Sequence, residues 1–197
     1  MKNYTLNTIL LLLTFGIAAQ EGEEGLPYHS IPPYPPNYTP GTVVARVIDG
    51  LGFRYYWATE GLTAKDLNYR VTTDSRSIRE LMYHIHGLSE IVLSAAAKQP
   101  IDRRKNGRKI EDATLLRAKT LRNLKTASDL MSESTDMDDH PLIFVTENDR
   151  SRFPFWNQLN GPVEDAVWHS GQIAMIRRAS GNPINAGVDV FLGVTKN

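Results

Sequence analysis

The stretch "GPVEDAVWHSGQIAMIRRASGNP", Gly161–Pro183, decides how the rest of the chain is read. Pro162 suits a first helical turn and Gly181 a helix end, so the spacing predicts one helix between them. At 100° per residue, Asp165, His169, Gln172 and Ile176 fall within about 60° of one another. Ala166 and Ile173 flank that face. Glu164, Ser170, Gly171, Arg177 and Arg178 lie opposite and form the expected wet side. An acid and an imidazole are therefore expected on the apolar side of the helix.

A carboxylate taken out of water needs a partner or it protonates. Asp165 and His169 stand one turn apart, so both can offer a lone pair to one metal ion, as helical zinc sites do at i and i+4. They can equally hydrogen-bond to each other with no metal. This helix alone favours neither solution.

Three further helices are expected upstream. The first, about Thr42 to Glu60, places Val43, Val47, Leu51 and Tyr55 at helical spacing. The second starts after an N-cap at Ser75 or Ser77 and runs through "IRELMYHIHGLSEIVLSAAA" towards Pro100. The third covers about Glu111 to Ser132 with a stripe of Leu115, Ala118, Leu121, Leu124 and Ala127. No strand pattern stands out, so the expected fold is all-α. It is a four-helix bundle over residues 41–185, with a long, partly packed connection (residues 133–160) before the last helix. Residues 186–197 are expected to be a tail.

The ends of the chain carry other signals. Lys2, the apolar run Ile9–Ala19 and the small residues Gly16, Ala18 and Ala19 form the layout of a secretory signal peptide over residues 1–19. The run is too short for a membrane span, so the expected protein is exported, periplasmic or secreted, with no span after cleavage. Residues 20–40 hold six prolines and read as a Pro/Tyr-rich linker.

Composition narrows the function. The chain has 197 residues and no net charge, which fits one domain and gives no electrostatic reason for nucleic-acid binding. It has no cysteine, which excludes disulfides, thiolate metal sites and a cysteine nucleophile. The link "KQPIDRRKNGRK" holds six basic residues in twelve but no interleaved aromatics, so it reads as a solvated loop. Trp57, Trp156 and Trp168 are core candidates first and pocket candidates second.

A third metal ligand should come from the second helix, where His84 and His86 flank the apolar stripe. His84 shares its seam with Leu81, Leu88, Ile91 and Ala95, which favours it modestly, and His86 stays open as the alternative.

The runs "SIRELMYHIHGLSEIVL" and "HSGQIAMIRRASGNP" resemble the DinB-like (DinB/YfiT-like) superfamily of metalloenzymes. These are four-helix bundles with a histidine on the second helix and an H-x-x-x-H-x-G-Q pattern on the fourth. The similarity spans about Val43 to Pro183. It implies metal ligands at His84 of "LMYHI" and His169 of "HSGQI", with Asp165 standing where histidine is usual. A His–His–carboxylate set suits zinc, nickel or iron. Gln172, one turn on, is expected to orient a ligand. The implied activity is that of a metal-dependent transferase or hydrolase acting on a small-molecule substrate, in a chain able to form homodimers. The alternative is a non-enzymatic, metal-stabilised module that binds a ligand or partner.

Overall fold

The computed structural model describes residues 25–104 and 112–196. The expected signal segment, residues 1–19, lies outside the described residues, as do residues 105–111 of the basic link.

The long helices begin where side-chain caps allow. Helix α1 (Pro40–Thr59) opens on Thr39, whose hydroxyl accepts from the Thr42 N–H while Thr42 returns a bond to the Thr39 N–H. A short helix α2 (Ala64–Asn68) follows, with Thr63 and Asp66 paired in the same way. Helix α3 (Ile78–Ala96) starts at Ser77, capped reciprocally with Glu80. Of the two serines expected at this start, Ser77 is the cap. Helix α4 (Ala113–Ser132) is capped by Asp112.

These helices pack α1 on α4, α4 on α3, and both α1 and α3 on the last helix, α6 (Glu164–Ala179). Leu51 and Tyr55 of α1, Leu81 and Ile85 of α3, and Leu121 and Leu124 of α4 are buried in the shared core. Each such leucine or isoleucine contributes about 1.5–3 kcal/mol by leaving water.

The all-α expectation is corrected. The protein is mainly helical but also carries two small sheets. Strand β1 (Ile101–Asp102) pairs in parallel with β2 (Leu142–Val145), which pairs antiparallel with β3 (Arg150–Phe153). The register sets Leu142 opposite Phe153 and Phe144 opposite Ser151. Strands β4 (Val188–Asp189) and β5 (Val194–Thr195) form a second hairpin in the expected tail. Strands of two to four residues are too short to show alternation, and the β1–β2 pairing joins segments some forty residues apart in the chain, so no local pattern announces it.

The connection over residues 133–160 docks on α3. Leu142 is buried, the His140 Nδ1–H donates to the Ala95 carbonyl (3.0 Å), and the Gln158 amide donates to the Val92 carbonyl (3.3 Å). Pro162 is not in a first helical turn. Helix α5 (Trp156–Gln158) runs into a π-turn (Leu159–Val163) that contains Pro162 and a kink at Gly161, and only then into α6.

Residues 25–39 lie against α1. Tyr28 is buried, and its hydroxyl donates to Asp49 Oδ1 at 3.0 Å. A Cβ at Gly52 would overlap the Tyr28 ring, so the strap needs glycine there. The Trp57 N–H donates to the His29 carbonyl at 3.2 Å, and the Ile31 N–H donates to the Gly193 carbonyl at 2.8 Å. Aromatic rings and backbone hydrogen bonds, rather than aliphatic periodicity, hold this proline-rich stretch in place.

Candidate metal centre

Because α6 packs on both α1 and α3, its buried side is broader than a single-stripe reading allows. Ala166, Ser170, Ile173, Ile176 and Arg177 are buried. Ser170 and Arg177, expected on the wet side, are thus inside. The Ser170 hydroxyl donates to the Ala166 carbonyl (2.8 Å), and Arg177 donates to the carbonyls of Trp57 and Ala58 at the end of α1 (3.1 Å each). Asp165, His169 and Gln172 sit at the border of this side, along the seam with α3, and are half-buried.

Across that seam stands His84. Its Nε2 lies 3.0 Å from Asp165 Oδ2, and His169 Nε2 lies 3.2 Å from Asp165 Oδ1. The two imidazole rings meet edge to face with centroids 4.7 Å apart. One ligand atom from each of the three residues lies within 4.8 Å of the others, so this cluster can hold a metal ion. The side chains of His84, Asp165 and His169 are 36%, 42% and 13% exposed, which leaves the cluster open on one side.

Gln172 faces the other nitrogen of His169. Its Oε1 lies 2.7 Å from His169 Nδ1, and with the amide placed this way Nδ1 carries the hydrogen and donates. In the neutral ring Nε2 then points a lone pair at the Asp165 carboxylate. Two lone pairs in contact repel, and a cation between them, a proton or a metal ion, removes the repulsion. Two imidazole nitrogens and a carboxylate oxygen are also the donor types that zinc, nickel and ferrous iron accept. The residues therefore fit a divalent metal.

His86 is turned away. Thr120 on α4 gives its hydroxyl hydrogen to the Leu116 carbonyl and accepts from His86 Nδ1–H at 3.2 Å. Burial holds the His86 imidazole below its ordinary range, against the pull of Glu90 and with a contribution from Lys119. Two residues along a helix rotate a side chain by about 200°, and here that separates a residue of the α3–α4 interface from one at the cluster.

Two clefts meet at Asp165. One, of about 610 Å³, is largely apolar and is walled by Leu88, Ile91, Phe144, Phe153 and Trp168. The other, of about 680 Å³, contains His84, His169 and Gln172 together with Arg76 and Met175. Trp168 is exposed and lines the first cleft, Trp156 is exposed, and Trp57 is buried. Phe144 and Phe153, from the apolar runs "PLIFV" and "RFPFW" of the partly packed connection, supply walls of the first cleft.

Comparison of the chain with protein-family models, with curated proteins and with solved structures finds no match.

Proposed function

We propose that His84, Asp165 and His169 bind one divalent metal ion at the centre of an enzyme site, and that the protein is a metal-dependent hydrolase or transferase for a small molecule. The observation that carries this reading is the convergence of three lone-pair atoms, with His169 oriented by Gln172, at the junction of two clefts. Structural zinc sites are closed by four protein ligands, whereas catalytic sites keep three and leave a position open. The exposure of His84 and Asp165 supports the open kind. When bound, the ion would serve as a Lewis acid towards a polar group of the substrate.

The chain's own residues have separable tasks. His84 and His169 supply neutral nitrogen donors from two different helices, so the centre depends on α3 and α6 staying in register. Asp165 supplies one negative charge, cancelling half the charge of a divalent ion. Gln172 holds the His169 ring in the tautomer that frees Nε2. The resemblance of "LMYHI" and "HSGQI" to the DinB-like superfamily supports the same ligands, with Asp165 in place of the usual histidine. The signal-like residues 1–19 support export, which N-terminal sequencing of extracytoplasmic protein beginning at Gln20 would test.

The deciding experiment uses protein purified without a metal-chelating tag. Under metal-replete conditions we expect about one equivalent of zinc, nickel or iron, and a loss of affinity beyond about 100-fold in Asp165→Ala and His169→Ala with helicity unchanged. Absence of stoichiometric metal from the wild type would show that the imidazoles and carboxylate satisfy one another. In a cobalt(II)-loaded sample, a new charge-transfer band on adding 2-mercaptoethanol would report an open position. An inert spectrum would favour a structural ion.

A further inference from the structure

The second cleft contains a cation that the metal reading does not use. In the loop before α3, Arg70 is committed to structure, its Nη2 donating to Glu80 Oε1 at 2.7 Å. Arg76 is different. It is exposed, lines the cleft that holds His84 and His169, and has no ion pair or hydrogen bond among the described residues. The neighbouring start of α3 does not compete for an anion, because Ser77 Oγ accepts from the Glu80 N–H (3.3 Å) and Glu80 Oε2 from the Ser77 N–H (2.8 Å). Apart from Ser75, the remaining wall is apolar, formed by Val71, Leu81, Met175 and Ile176.

From this arrangement we infer that the cleft takes a small organic carboxylate, with its carboxylate on the Arg76 guanidinium and a short apolar body against Leu81, Met175 and Ile176. A guanidinium fork matches a carboxylate in two parallel hydrogen bonds. Arg76 is the only Lys or Arg among the described residues lining the cleft, so a single guanidinium is on offer and a singly charged carboxylate matches it in charge. As a statement about the enzyme's substrate this rests on the metal reading above. As a statement about anion binding it stands on Arg76 and the cleft alone.

The test uses full-length protein with 13C-methyl methionine, in which the Met175 signal is assigned by its loss in Met175→Leu. Hexanoate is titrated against metal-free and zinc-loaded samples, with hexanamide and inorganic phosphate as comparisons. Hexanoate should move the Met175 signal in both samples, and hexanamide and phosphate should bind at least about tenfold more weakly. Arg76→Gln should weaken hexanoate by at least about tenfold and Arg76→Lys should recover part of the loss, both with unchanged zinc stoichiometry. Equal binding of hexanoate and hexanamide, equal binding by wild type and Arg76→Gln, or no Met175 response overturns the inference. So does hexanoate binding that requires zinc and ignores Arg76, which would put the anion on the metal. If the wild type takes up no zinc but Arg76-dependent binding persists, the metal reading fails and the carboxylate site stands.

Discussion

Near the end of α6, Arg177 is 3% exposed, and its guanidinium is shared among the carbonyls of Trp57 and Ala58 and both oxygens of Asn182. Asn182 in turn donates to Asp66, which also accepts from Ser180 (2.5 Å), so every partner in this cluster has a complement. A little over three turns earlier on the same helix, the Asp165 side chain is 42% exposed and faces two imidazole nitrogens, with no arginine or lysine ion-paired to it among the described residues. Both clusters are polar and both join α6 to another helix. The first is donor-to-acceptor throughout, with Arg177 and Asp66 buried, as a structural clasp must be. The second sets one carboxylate between two imidazole nitrogens and opens onto two clefts. That contrast, more than the identity of the residues, separates a fastening from a candidate site.

The largest expected effect falls on the clasp. Arg177→Ala leaves the last carbonyls of α1 without donors inside the protein, and we expect a loss of about 3–5 kcal/mol in urea unfolding. Arg177→Lys should recover little, because an ammonium cannot serve three directions from a planar fork. A cost below about 1 kcal/mol would erase the distinction between the two clusters.

Asp66 gives the clasp a pH signature. Burial works against its ionisation, but hydrogen bonds from Ser180, Asn182 and Thr63 outweigh burial and hold its carboxyl well below the usual carboxylate range. A depressed folded value means the stabilisation is complete above the unfolded value of about 3.9 and is lost as pH falls towards the folded one. Urea midpoints at pH 6 and pH 2.5 should therefore differ more in the wild type than in Asp66→Asn. The part of the acid loss that disappears should be about 1–2 kcal/mol.

At the open cluster the expected order is reversed. Gln172→Ala should weaken zinc binding by about tenfold or somewhat more while shifting stability by less than about 0.5 kcal/mol. A stability loss with unchanged zinc affinity would make Gln172 a packing residue. His86→Ala, on the far side of α3, should change zinc affinity by less than about twofold.

Much of the helical framework was legible. The cap at Ser77, one of the two serines expected, and the leucine stripes of α3 and α4 are local, short-range patterns, and they place the helices close to where they form. Asp165, His169 and Gln172 were legible as one constellation because three- and four-residue spacing on a helix is itself a statement about proximity. Which way that constellation points was not. The wheel set Arg177 and Ser170 in water, yet packing against two helices at once buries them, and a single amphipathic stripe carries no record of the second neighbour. The three-stranded sheet failed for a related reason, since β1 and β2 meet only after the intervening helix α4 has folded back.

The sequence by itself determined the four long helices, the exclusion of cysteine chemistry, and the Asp165–His169–Gln172 spacing, because each depends on residue type and on neighbours within a few positions. Only the tertiary structure decided that His84 rather than His86 meets Asp165, and that the meeting point opens onto a cleft containing Arg76. Those facts depend on how α3 and α6 are rotated against each other. That rotation is set by the whole core and not by any stretch that can be read alone.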